Sequence, residues 1–174
     1  MKTETRSIQA RYETPDGNRL VGYAAVWDSP TEITEWGKTF NETIRRGAFA
    51  RSLKDNPDVV CCVHHDETRI LGRTTSGTLK LNEDIHGLRF EVDLPQHAHD
   101  IRELVQRGDL SGASFRFEAR ADRWDGNSRE LLDVDLFHVS VVVHPAYRQT
   151  SVSVRGNENW KLRNALLRKL LPEI

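Results

Sequence analysis

Gly108-Asp109-Leu110-Ser111-Gly112-Ala113-Ser114-Phe115-Arg116-Phe117 is the stretch where the chain changes its period, and the fold is read outward from it. Upstream, Ala98 to Val105 carries Ile101, Leu104 and Val105 on one side and reaches a glycine, the pattern of an amphipathic helix ending at Gly108. Downstream, Ala113, Phe115, Phe117 and Ala119 alternate with Ser114, Arg116, Glu118 and Arg120, the two-residue period of a strand with one apolar and one polar face. Asp125-Gly126-Asn127 then signals a hairpin turn, and Leu131 to Val143 returns as a long strand. Its odd positions Phe137, Val139, Val141 and Val143 are expected to form an unbroken apolar face, with Leu136, His138, Ser140 and Val142 opposite.

On the N-terminal side, residues 1 to 18 are polar and end in the turn signal Pro15-Asp16-Gly17-Asn18. Arg19 to Trp27 reads as a strand stopped by Asp28-Ser29-Pro30, followed by a polar loop and a short strand from Thr39 to Ile44. Gly47 to Leu53 fits one or two helical turns, with Phe49 and Leu53 at i, i+4. Val59 to Asp66 is expected to be a buried strand that ends in the polar cluster His64-His65-Asp66. Ile70 to Thr75, Thr78 to Asn82 and Gly87 to Leu94 follow as strands spaced for antiparallel pairing. After Pro145-Ala146-Tyr147 come a short segment, Ser151 to Val154, and an amphipathic helix, Trp160 to Leu171. Many short strands and few helices predict a mainly β (α+β) fold, a closed or nearly closed antiparallel β-barrel with short helices outside, with a sandwich as the alternative.

A chain of 174 residues suits one domain. Its formal net charge of −1 argues against a general nucleic-acid coat, whose surface would be basic. The two cysteines, Cys61 and Cys62, are adjacent, which is poor geometry for a mutual disulfide, and a reduced cytosolic protein is expected. Nothing approaches the roughly 20 apolar residues of a membrane span, and neither export nor insertion is expected.

Three residues invite a chemical reading. Ser114 leaves a glycine turn on the polar face of its strand, and a serine hydroxyl needs a neighbouring base to become a nucleophile. His65 and His138 are the candidate bases, His65 at the mouth of an apolar strand where partial burial keeps the ring neutral. The plain alternatives are a serine that satisfies a turn and histidines that cap a strand. Cys61, Cys62, His64, His65 and Asp66, with His97, His99 and Asp100, also resemble a metal-ligand set. Strand alternation divides them between two faces, so metal binding is the minority reading. Lys161, Arg163, Arg168 and Lys169 make the last helix basic, which suits docking on a protein surface better than on a membrane. Trp27, Trp36 and Trp124 form no base-stacking platform.

A series of short motifs resembles the tailed-bacteriophage (caudovirus) prohead maturation serine proteases, related in fold to the herpesvirus assembly protease. In order they are Gly22-Tyr23-Ala24-Ala25-Val26-Trp27, Gly47-Ala48-Phe49, His65-Asp66, Leu71-Gly72-Arg73-Thr74 and Gly77-Thr78-Leu79. Gly87-Leu88, Arg107-Gly108-Asp109, Gly112-Ala113-Ser114-Phe115, Val139-Ser140-Val141-Val142 and Pro145-Ala146-Tyr147 complete the series. The resemblance spans about residues 8 to 155; it implies a protease domain over 1–155, with 156–174 as a C-terminal amphipathic helix. It implies a serine endopeptidase, in the host cell cytoplasm inside the assembling prohead, that cleaves scaffold or a scaffold-like segment of the major capsid protein, and itself. By position Ser114 is the nucleophile and His65 the general base. The third member falls on His138, where many phage relatives carry an acidic residue and the herpesvirus enzymes a histidine. Arg148 and Arg116 are the candidates for supporting the oxyanion, and no cofactor, metal, nucleic acid or membrane is implied. The rival classes are a noncatalytic barrel that binds capsid or scaffold protein, and a metal-dependent hydrolase.

Overall fold

The computed structural model describes residues 2–9, 18–35, 37–56 and 58–143. Arg148, the segments 145–147 and 151–154, the helix expected over 160–171 and the boundary at 155 lie outside them.

Ten strands and two helices follow in the order β1 (Thr3–Gln9), β2 (Arg19–Val26), β3 (Thr31–Glu35), β4 (Lys38–Ile44), α1 (Ala50–Asp55), β5 (Val60–Val63), β6 (Asp66–Arg73), β7 (Leu79–Glu83), β8 (Gly87–Asp93), α2 (His99–Arg107), β9 (Gly112–Asp125) and β10 (Ser128–Val142). The mainly β expectation holds. The strands form a seven-stranded sheet, in which the order β1-β9-β10-β4-β3 is extended by β5 and β6, and a three-stranded sheet β2-β8-β7. Neither sheet closes into a barrel among the described residues. One hydrophobic cluster joins them, with Leu20, Leu79, Leu88, Phe90 and Val92 from the small sheet meeting Cys61, Phe115, Phe117, Leu136 and Val139 from the large one. Fully burying side chains of this size stabilises by about 1.5–3 kcal/mol each. Phe49, Phe115 and Phe117 make successive ring contacts with centroids 5.4 and 5.1 Å apart.

The expectation of purely antiparallel pairing is corrected at β10. Its first residues pair in parallel with β4 (Ser128 opposite Asn41, Leu131 opposite Ile44) and its last with β5 (His138 opposite Val60, Val141 opposite Val63). One 15-residue strand thus serves two short strands along a single edge, and the connection between them carries α1. Between the two ladders, α1 and its flanks supply the partners: Val134 N–H donates to the Ala48 carbonyl, Leu136 N–H to Ser52 Oγ, and Asn56 Nδ2 to the Leu136 carbonyl.

Two strands lie where the sequence reading has polar loop. In β1 the alternation is charged: Glu4 and Arg6 are buried on one side, and Ser7 is buried on the other. Glu4 and Arg6 join Glu42 and Arg129 in a cluster, with Arg6 Nη2 2.6 Å from Glu4, Arg6 Nε 2.5 Å from Glu42 and Arg129 Nη1 2.5 Å from Glu4. The cluster ties β1 to β4 and β10, which rigid pairing and mutual hydrogen bonding make possible for charges removed from water. The other strand, β3, makes a hairpin with β4 in which Ile33 sits opposite Phe40, both buried.

Candidate active site

The helix-to-strand change read from the sequence places the serine. α2 stops at Gly108, whose φ of 83° is left-handed and favours glycine, and its N–H returns to the helix. Leu110 is buried, and β9 begins two residues later. Ser114, third in that strand, has β1 on one side and β10 on the other. Ser7, Ser114, Ser140 and Cys62 stand opposite one another across β1, β9, β10 and β5. The next row holds Thr5, Arg116, His138 and Val60. Alternation in β9 therefore turns Ala113, Phe115 and Phe117 to the core and Ser114 to the polar side, as the sequence predicts.

His138 reaches that side through a bulge. The ladder with β9 shifts register between Leu136 and His138, so Leu136 and Val139 both enter the core while Phe137 is pushed outward and is 38% exposed. The unbroken apolar face expected from Phe137 to Val143 is thus corrected: only Val139 and Val141 are buried on it, and Val143 is 36% exposed. His138 itself is buried.

His65 does not end a strand. β5 stops at Val63, and Val63 pairs with Asp66 of β6 across a two-residue turn, His64-His65, with φ of 53° and 62°. Positive φ at both positions is what a type I′ hairpin turn demands; it favours Asn-Gly, and bulkier residues adopt it at a cost. The turn is held to β10, with His64 N–H on the Val141 carbonyl at 3.0 Å and His65 N–H on Ser140 Oγ at 3.3 Å. This anchoring aims the His65 ring along the sheet.

The three residues singled out in the sequence meet. His65 Nε2 is 2.7 Å from Ser114 Oγ, 49 residues away in sequence, and His65 Nδ1 is 2.7 Å from His138 Nε2. Ser114 has two further neighbours that the sequence reading did not include: Ser7 Oγ donates to it at 2.8 Å, and it lies 2.8 Å from the Arg6 carbonyl. Ser140 Oγ approaches His65 Nδ1 at 3.3 Å, and Glu67 Oε1 lies 3.3 Å from His138 Nδ1. The signal for Ser7 was present only as the alternation of Thr3, Thr5 and Ser7 against Glu4 and Arg6, which hydrophobic periodicity does not register.

Burial pushes the His65 imidazole down to about 4, aided by His138, Arg116 and His64. Burial also lowers His138, with Arg116 acting in the same direction and Glu67 against them. Both rings are neutral near pH 7, so His65 has a lone pair available for a proton. Arg116, the oxyanion candidate, is exposed on the same side of β9 as Ser114. Cys61 and Cys62 are buried, with burial raising both thiols. Among the described residues no three or more His, Cys, Asp or Glu side chains gather to hold a metal, and no helix is long and apolar enough to cross a membrane.

A hydroxyl against an imidazole that is oriented by a further group is the arrangement shared by serine hydrolases. The chain belongs to one such family: residues 3–163 match the family model of the caudovirus prohead serine proteases. It is thus a serine protease of phage prohead assembly. No curated protein and no solved structure matches the chain.

Proposed function

We propose that this chain is the endopeptidase of capsid maturation in which Ser114 is the nucleophile, His65 the general base and His138 the group that orients it. The observation that carries the reading is the pair of 2.7 Å contacts running from Ser114 through His65 to His138. Ser114 Oγ attacks the scissile carbonyl carbon while its proton passes to His65 Nε2. The resulting imidazolium is held by His138 and gives the proton to the leaving amine. Water, deprotonated by the same nitrogen, then releases the acyl group and restores the serine. Arg116 is the described residue proposed to support the oxyanion, and preorganised donors of this kind carry much of the stabilisation of such intermediates. The substrates are scaffold protein or a scaffold-like segment of the major capsid protein, together with the protease itself, within the prohead in the host cytoplasm.

The test is co-expression with the major capsid protein and scaffold, with cut sites read by mass spectrometry. Ser114→Ala and His65→Ala are expected to abolish cleavage in a folded chain, and the double variant to resemble either single one, because the residues act as a unit. His138→Ala should be slowed yet active. Processing at the native rate by Ser114→Ala overturns the assignment.

A further inference from the structure

The assignment proposed above needs one particular arrangement of protons. For His65 Nε2 to accept from Ser114, the single proton of the neutral His65 ring must sit on Nδ1. That N–H must then donate to an unprotonated His138 Nε2, which leaves the His138 proton on its Nδ1. The 2.7 Å contact between the rings is equally well made in reverse, with His138 Nε2 donating to His65 Nδ1. In the reversed chain His65 presents an N–H to Ser114, and the serine proton goes to the Arg6 carbonyl 2.8 Å away. That state makes the same contacts between Ser114, His65 and His138 Nε2, but it cannot accept the serine proton.

The group at the far end selects between the two directions. Glu67 Oε1 lies 3.3 Å from His138 Nδ1, and an ionised carboxylate only accepts hydrogen bonds. We infer that Glu67 is a positioning residue: it holds the proton of His138 on Nδ1, which holds that of His65 on Nδ1 and leaves Nε2 open to Ser114. Glu67 lies two residues after His65 on the same hairpin, so the turn that presents the base also presents the carboxylate behind it. Its neighbour Asp66 is engaged elsewhere, accepting from the Thr68 N–H and hydroxyl at 2.9 and 2.6 Å. Three ionisable groups face His138, namely His65 from the turn, Arg116 from β9 and Glu67 from β6. Glu67 is the only one of the three that favours a positive charge on the dyad, as forms when His65 takes the proton.

The experiment uses the full chain and a fluorophosphonate, which reports formation of the Ser114 adduct without a natural substrate. The second-order labelling rate is followed from about pH 4 to 8, the window in which histidines titrate. Glu67→Ala is expected to label about tenfold more slowly near pH 7, a fraction of what a general base contributes. The acid limb should move to lower pH, because the charge that supports the imidazolium is gone. Glu67→Gln, of the same shape, should move the limb in the same direction. Long-range nitrogen–proton NMR spectra should show His138 losing its exclusive Nδ1 proton in Glu67→Ala. A wild-type rate and limb in both variants overturns the inference, as does slower labelling with the limb and the His138 proton unmoved. Labelling of Ser114→Ala at the wild-type rate would instead remove the underlying nucleophile assignment, so the two failures are distinct.

Discussion

At the residue scale, His65, the proposed general base, combines a strained backbone with partial burial. Its ring is held below its ordinary value of 6.5, at about 4, chiefly by loss of hydration. Between those two values the unfolded chain binds a proton that the folded chain refuses, so stability is complete above about pH 6.5 and is lost as pH falls toward 4. His138 contributes with the same sign. Urea midpoints measured from pH 7 to pH 5, about the histidine range, should fall more steeply for the wild type than for His65→Gln, which has no proton to bind. Equal slopes would show that His65 titrates normally in the fold. The same shift implies that the acid limb of cleavage lies below pH 6.5.

At the scale of the element, the decisive feature is the bulge in β10. It changes the phase of the strand, so that Leu136 and Val139 both fill the core while His138 faces Ser114. Phe137 is the residue expelled, and with 38% of its surface exposed Phe137→Ser should cost less than the about 3–5 kcal/mol of truncating a fully buried phenylalanine. Deleting residue 137 should also be tolerated, because it removes only the extra residue of the bulge. The ladder with β9 pairs Leu136 with Phe117 and His138 with Arg116, so without residue 137 strict alternation still puts Leu136 and His138 on opposite faces. Thermal unfolding of the two variants side by side is the check, and a deletion that fails to fold would show that the bulged residue is itself required.

Across the whole molecule, the seven-stranded sheet holds its apolar cluster and a buried charge cluster together. Glu42 is central to the latter, contacting Arg6 at 2.5 Å and Arg129 at 3.0 Å. Removing one member leaves buried cations short of partners, so Glu42→Ala should destabilise by about 3–5 kcal/mol. The loss is expected to be greater than that of either exposed pair, Arg73–Asp58 or Arg69–Asp100, since surface pairs contribute about 0–1 kcal/mol. Chemical denaturation of Glu42→Ala and Asp58→Ala tests this ranking. Because β1 also carries Ser7 and the Arg6 carbonyl to Ser114, loosening of this cluster should reach the proposed nucleophile.

The parts of the protein legible in its sequence are those encoded by neighbouring residues. The stop of α2 at Gly108, the alternation from Ala113 to Phe117, the hairpin around Gly126 and the polar aspect of Ser114 all depend on local period and turn chemistry. His65 and His138 could be named there as candidates because an imidazole takes a proton near neutral pH, but it was the series of family motifs, not their spacing, that set them apart from the other five histidines. What only the tertiary structure decided depends on contacts far apart in the chain. β1 escaped notice because its buried side is Glu4 and Arg6, which become strand-compatible only beside Glu42 and Arg129. The two parallel ladders on β10 follow from where α1 returns the chain, and the bulge from the need to satisfy both the core and the site. Glu67 reads as one more surface carboxylate until the turn at His64-His65 folds it back onto His138. Sequence period specifies which face a side chain takes within an element; only packing between elements specifies what it faces.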